Sequence, residues 1–149
     1  MLTGTFQVYG GSTAVAIGGP TRGNQIQTIR DASGKEVQEV LGLRAPSRQY
    51  LDRYNVHTDW TFAVAWDINE RLVPSTPMAW LAAHTAALMG QGVFTLSEDG
   101  VLTYVPYATI FPRKTGMLGA ATIIVEYHLR GGAATGTNPG NAATTVTAL

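Results

Sequence analysis

The chain has 149 residues, no cysteine, and ten basic side chains against ten acidic ones. That length fits one domain with a core of its own. The lack of thiols excludes a disulfide framework and thiolate metal sites, and the neutral balance excludes a global attraction to nucleic acid or to an anionic membrane. Only 13% of the residues are charged, against about 25% in an average soluble domain, and so sparse a surface points to one that copies or partners cover. The opening MLTGTFQVYG lacks the basic and apolar regions of a secretory leader, and no apolar run is long enough to cross a bilayer, so membrane insertion is not expected.

Residues 5–9, TFQVY, alternate as a half-buried strand does, and 12–17, STAVAI, follow as a second short strand after Gly10-Gly11. The glycine-rich loop from Gly18 to Gly23 lacks the Lys-Ser/Thr pair of a phosphate-binding loop and reads as a turn. Residues 24–29 and 36–40 flank Asp31-Ala32-Ser33-Gly34 and read as a hairpin. Residues 41–47 contain Gly42 and Pro46 and read as a long loop, and 55–59 as a polar turn. Half of all the charges fall between Arg30 and Asp59 with mixed signs. That pattern fits either a solvated hairpin tip and loop or an arm, about 41–59, that meets a neighbouring subunit through Arg44, Arg48, Asp52, Arg53 and Asp59. Residues 60–68, WTFAVAWDI, are the strongest strand, with Trp60, Phe62, Val64, Trp66 and Ile68 on one face.

Residues 76–90, TPMAWLAAHTAALMG, are the one clear helix, with Thr76 as N-cap, Pro77 at the first helical position and Gly90 as the stop. The spacing puts Met78, Leu81, Thr85 and Leu88 on its apolar face, widened by Ala82 and Met89. Residues 92–97 and 101–105 flank Asp99-Gly100, a hairpin signal. Pro106 and Pro112 argue for an edge or irregular segment over 107–111, and 115–119 reads as a loop. Residues 122–130, TIIVEYHLR, form the second clear strand, with Ile123, Val125, Tyr127 and Leu129 facing one way. From Gly131 to Leu149 no side chain is charged and little can be buried. Such a stretch cannot offset its ordering entropy alone, and the expectation is that it docks on a neighbouring copy.

No residue set demands a particular chemistry. His57 and Asp59 can orient each other, and Ser12 or Ser47 offers a hydroxyl, but no nucleophile elbow is present. His84 lacks a helical partner ligand, since Trp80 and Leu88 stand at the required spacings, and reads as a satisfied or surface histidine. Glu126 and His128 share a strand face at a metal-binding spacing, without a third ligand. The carboxylates do not form the opposed pair of a glycoside hydrolase, and the Arg48–Tyr54 stretch fits packing better than base stacking. The expectation is a protein without catalytic residues, metal or cofactor.

The order of elements resembles the tail-tube proteins of tailed bacteriophages and of contractile injection systems. The resemblance rests on WTFAVAWDI at 60–68, PMAWLAAHTAALM at 77–89, GVFTLS and VLTYVPYATI at 92–110, and Gly116 with TIIVEYHLRGG at 122–132. It implies a mainly β domain over 1–130, a β-sandwich or barrel flanked by one helix, with an extended tail over 131–149. It also implies homo-oligomers, hexameric rings stacked helically around a channel, with DNA in transit and other phage structural proteins as partners. Assembly would take place in the host cytoplasm and the product would lie in the virion. Asp67, Thr122 and Glu126 are then candidates for the lumen wall. Tube lumens of that family tend to be acidic, whereas this chain is neutral. Alternatives are another virion component (a capsid decoration protein, tail terminator or head–tail connector) or a carbohydrate-binding or hydrolytic β-domain using Trp60, Trp66 or Trp80.

Overall fold

The structure, a computed structural model, describes residues 2–19, 26–36, 57–67, 76–119 and 121–140. Alternation along the two strongest strands sets the architecture. In β4 (His57–Asp67) Trp60, Phe62, Val64 and Trp66 are buried, and in β7 (Thr122–Gly132) so are Ile123, Val125, Tyr127 and Leu129. The two pair antiparallel along their whole length, Trp66 opposite Ile123 and Phe62 opposite Tyr127, so both apolar rows fall on one side. β4 begins three residues before the expected strand and replaces the expected turn at 57–59.

The remaining strands are β1 (Leu2–Val8), β2 (Val15–Ile17), β3 (Arg30–Asp31), β5 (Gly92–Glu98) and β6 (Val101–Met117). The sheet is antiparallel in the order β2-β1-β5-β6-β7-β4-β3. Its two sides meet at Ile26. The Ile26 amide donates to the Leu2 carbonyl at 3.2 Å, Ile26 bridges Val64, and the Gln27 amide donates to Ala63 at 3.3 Å. Residues 26–31 therefore close the sheet into a barrel between β1 and β4. Phe94 of β5 meets Phe62 and Trp60 of β4 across the interior, with ring centroids 5.6 and 6.4 Å apart. Among the described residues the chain forms the expected mainly β fold with one flanking helix, and closure makes it a barrel.

β5 and β6 are joined at Asp99-Gly100, both at positive φ (50° and 88°), the backbone of a two-residue hairpin turn. β6 is one strand of 17 residues that runs through both prolines and replaces the expected loop at 115–117. The edge or irregular segment expected over 107–111 is present as the bulge at Tyr107 and the one-sided pairing that follows it. Its first half pairs with β5, as far as Ala108 opposite Gly92, and its second half pairs with β7, from Thr109 opposite Arg130. Pro106 sits in a bulge where two residues oppose Val93. Pro112 sits where β6 has a partner on one side only among the described residues, and can turn its missing N–H away from the ladder. Tyr107, at φ 52°, carries the bulge, pinned by Gln91 Nε2 donating to its carbonyl and by its amide donating to Tyr9 Oη. The bulge shifts the phase of burial, from Thr103 and Val105 to Ala108 and Ile110.

At the β3 turn, Ser33 and Lys35 amides and the Ser33 hydroxyl donate to Asp31 Oδ1. Slight burial pushes the Asp31 carboxyl up, but the hydrogen bonds from Ser33, Lys35 and Gly34 outweigh it and hold the group below its ordinary value. A lowered carboxyl stabilises above its unfolded pKa, and that contribution fades as pH falls through the lowered value. Glu36 bridges Arg30 as the expected hairpin requires, and its continuation at 37–40 lies outside the described residues.

The helix α1 (Pro77–Ala87) is capped by Thr76, whose hydroxyl accepts from the Ala79 amide at 3.2 Å. The expected apolar face holds at Leu88, Leu81 and Thr85 and is corrected at Met78, Ala82 and Met89, which are exposed. Trp80, His84 and Leu88 are the buried positions, Leu81 is partly buried, and Met78 and Met89 are exposed. The reason is aromatic. Trp80 packs on Trp66 at 5.0 Å and stacks on His84 at 4.5 Å, so an i, i+4 ring pair turns inward in place of the methionines.

The expectation that the stretch from Gly131 docks on a neighbour is also corrected for its first residues. Gly131 and Gly132 continue β7 opposite Thr58 and His57, Ala134 is buried, and Thr135 exchanges two backbone hydrogen bonds with Tyr104 at 2.7 and 2.8 Å. Residues 141–149 lie outside the described residues. A Cβ on Gly131 would stand 2.7 Å from Val105 Cγ1 and 3.0 Å from Ala108 Cα, so the close approach of β7 to the β6 bulge requires glycine there. Gly131→Ala is expected to destabilise the fold by about 1–3 kcal/mol. Gly116→Ala, whose Cβ would meet only Ile124 Cδ1 at 3.7 Å, should stay within about 0.5 kcal/mol. Urea unfolding of the two variants beside the parent protein checks both.

Candidate functional site

Outward residues of β4, β7 and the second half of β6 share one face, because residues opposite each other in a ladder point the same way. Across β7 and β4, Thr122 stands opposite Asp67, Ile124 opposite Ala65, Glu126 opposite Ala63, His128 opposite Thr61 and Arg130 opposite Asp59. Across β6 and β7, Thr109, Phe111 and Arg113 stand opposite Arg130, His128 and Glu126. The structure thus brings together the three lumen candidates, Asp67, Thr122 and Glu126, and adds Asp59 to them. Asp59 does not belong to an arm, since it lies within β4. The other arm residues, Arg44, Arg48, Asp52 and Arg53, lie outside the described residues, as does the rest of the expected arm at 41–56.

The charges on this face are matched. Arg113 Nη2 donates to Glu126 Oε1 at 3.1 Å. Asp59 Oδ1 lies 2.6 Å from His128 Nε2, and its Oδ2 lies 3.8 Å from Arg130 Nε. Asp59 therefore orients His128 and not His57, and Glu126 is engaged by Arg113. Exposed pairs like these contribute little to stability, but each places a carboxylate beside a guanidinium in cross-strand geometry. The sequence spacing could not show this, because Asp59 and His128 are 69 residues apart. Lys114, opposite the inward Val125, belongs to the other side of the sheet.

Two depressions lie side by side on the face. One, of about 600 Å³, has Gly131 and Gly132 as its floor and His57, Asp59, Tyr107 and Arg130 around it. The other, of about 330 Å³, lies among Thr61, Phe111, Arg113, Glu126 and His128. Both are broad and open, and neither gathers a nucleophile beside a base. Among the described residues no group of three metal-ligating side chains occurs.

The margin of the face is a strand edge. Past Ala108, β6 has no neighbour on the side away from β7 among the described residues. Beside that edge Phe111 is 71% exposed, and Met117 and Leu118 at the turn into β7 are exposed as well. An apolar groove of about 130 Å³ runs there between Leu88, Met89 and Gly90 at the end of α1 and Ile110, Phe111 and Pro112. The outer surface of α1 continues the apolar character, with Met78, Ala79, Ala82, Ala83, Ala86, Ala87 and Met89 all exposed and none charged.

Ser12 is exposed and Ser47 lies outside the described residues, while the tryptophans and His84 belong to the core. Trp60, Trp66 and Trp80 are buried and offer no platform to a sugar. His84 is satisfied, as one of its two sequence readings held, because its Nε2 lies 2.7 Å from Tyr127 Oη, which also accepts from Trp66 Nε1 at 2.7 Å. The Tyr127 hydroxyl thus accepts from the Trp66 indole and is hydrogen-bonded to His84 Nε2. This chain ties α1 to β4 and β7.

No protein-family model, curated protein or solved structure matches the chain. No helix among the described residues is long and apolar enough to cross a membrane.

Tyr127→Phe removes the shared hydroxyl while keeping the ring that stacks on Phe62 at 5.3 Å. It leaves the Trp66 N–H and His84 Nε2 without that partner, and is expected to cost about 1–3 kcal/mol in urea unfolding. Tyr104→Phe, which alters a half-buried ring whose backbone makes the Thr135 contact, should stay within about 0.5 kcal/mol.

Proposed function

We propose that this chain is the structural subunit of a phage-type tail tube. Copies assemble into hexameric rings that stack helically around a channel, and DNA crosses that channel. The protein acts by assembly and not by catalysis, takes no cofactor, and ends in the virion tail beside other phage structural proteins. The observation that carries the reading is the open half of β6, a strand edge flanked by exposed Phe111, Met117 and Leu118. An edge with unmet backbone groups and apolar side chains is a template for another chain. The uncharged exposed surface of α1 supports the same reading, since a helix facing water usually carries polar residues there. The face bearing Asp67, Thr122 and Glu126 is then the candidate channel wall.

Electron microscopy of the purified protein tests the reading. Six-fold rings or hollow tubes support it, closed trimers point to a capsid decoration protein, and a monomer at high concentration overturns assembly altogether. Phe111→Lys with Leu118→Lys places two charges on the exposed margin. The double variant is expected to keep the far-UV spectrum of the folded domain and to sediment near the 15.8 kDa of one chain. Rings or tubes from that variant would remove the β6 margin from the interface.

A further inference from the structure

We infer that the depression at the β6 bulge is a saccharide-binding site, with Tyr107 as its stacking platform and Asp59, Arg130 and Thr109 as its polar row. Every group in it belongs to one subunit, so the inference goes beyond the tube reading and does not need it. The site lies at the end of the β4–β7 ladder away from Asp67 and Thr122. Its volume is about 600 Å³ over the Gly131-Gly132 floor, within the range of small-molecule sites, about 300–1,000 Å³. Tyr107 stands at its rim, at φ 52° and 45% exposed. A bulky residue seldom occupies the left-handed region, and where the surrounding structure enforces such a backbone it often serves a site. Here three contacts enforce it. Gln91 Nε2 donates to the Tyr107 carbonyl at 3.2 Å, the Tyr107 amide donates to Tyr9 Oη at 3.4 Å, and the two tyrosine rings lie 5.5 Å apart. Glycine or asparagine would suit the bulge backbone better. A tyrosine pinned there delivers an aromatic ring to the depression.

The polar groups form a row beside that ring. Asp59 of β4 stands opposite Arg130 of β7, and Arg130 stands opposite Thr109 of β6. Crossing three neighbouring strands makes the row about 10 Å long, enough for a disaccharide. Arg130 approaches Asp59 through Nε alone, at 3.8 Å, which leaves its Nη edge to a ligand. Asp59 gives Oδ1 to His128 at 2.6 Å and keeps Oδ2 beside the guanidinium. An acceptor next to a planar donor edge suits adjacent sugar hydroxyls, because each hydroxyl both donates and accepts. The C–H face of the sugar ring can then cover Tyr107, whose own ring is apolar with a polar tip. Charge disfavours other ligands. With a carboxylate beside the guanidinium the row has no net charge, so a phosphate gains little from Arg130. Among the described residues no third ligating side chain completes a metal site. The open shape suits a ligand whose outer hydroxyls stay in water.

The test titrates the full chain in saturation-transfer NMR with the neutral probes cellotriose, maltotriose and tri-N-acetylchitotriose, beside AMP and inorganic phosphate. At least one trisaccharide is expected to bind with a Kd of about 1 mM, as a shallow, open site gives. Tyr107→Gly removes the ring and fits the left-handed backbone. Arg130→Gln removes the guanidinium edge at an exposed side chain. Each variant is expected to keep a native far-UV spectrum and to weaken that binding by at least about tenfold. Phe111→Ala removes an exposed ring outside this depression, and should change the Kd by less than about twofold. The inference is overturned if no trisaccharide binds below about 10 mM, or if AMP or phosphate binds and the sugars do not. It is overturned equally if a natively folded Tyr107→Gly or Arg130→Gln variant binds as the parent protein does, or if Phe111→Ala weakens binding as much. Rings and tubes in the microscope report on the tube reading separately, since sugar binding by the subunit does not depend on them.

Discussion

Strand β6 changes neighbours halfway along, and much of the molecule follows from that exchange. Seventeen residues are too many for β5 alone, which has seven. The first half of β6 lies on β5 and the second on β7, and the bulge at Pro106-Tyr107 marks the change. A strand tilted in this way lets a small sheet curl far enough for Ile26 to join β1 to β4. It also leaves each half with a side that the other strand does not reach. On the first half that side is taken by Thr135, beyond the glycine pair that must pass the bulge closely. On the second half no described residue takes it.

The interior answers the same geometry. Phe62 and Trp60 reach across to Phe94, which fills the barrel at mid-height. Toward the end of β4, Trp66 leaves its indole N–H in an apolar setting, and such a donor is costly to bury unpaired. Tyr127 supplies the acceptor, and its hydroxyl is hydrogen-bonded to His84 Nε2 in turn. The helix is therefore placed by a polar chain inside an aromatic cluster, and its direction is set more sharply than by apolar area alone. That placement brings Met89 and Gly90 beside Phe111 and turns the alanine surface outward.

What could be read from the sequence was local. Alternation in 60–68 and 122–130 identified the buried rows of β4 and β7, and the cap at Thr76 and the turn at Asp99-Gly100 followed from side-chain chemistry that needs no tertiary context. The face that unites Asp67, Thr122 and Glu126 was legible for the same reason, since parity along two clear strands decides it. β6 was not legible. Its bulge moves burial from Thr103 and Val105 to Ala108 and Ile110, so no single alternation describes it, and its prolines mimic a break. The buried side of α1 depended on Trp66 and Tyr127, residues of other strands, and apolar spacing favoured the methionines instead. The pairing of Asp59 with His128 and Arg130 joins strands distant in sequence and leaves no local trace.

The low charge content acquires a position in this fold. Outward charges on the described strands gather on the β4–β7–β6 face and the short β3 turn, while Thr3, Thr5, Gln7, Thr95 and Ser97 give β1 and β5 a neutral exterior. The helix exterior is alanine and methionine. A lone particle so built has little to keep it apart from its own kind, because solubility at zero net charge relies on scattered surface charge. Alanine on an exposed helix permits close approach of another backbone, and methionine adapts to whatever contour it meets. A strand edge beside such a helix presents directional hydrogen bonds next to a pliable apolar surface. Together these features favour association in a fixed orientation, and the mixed, matched charges of the remaining face leave it the part of the surface least suited to burial.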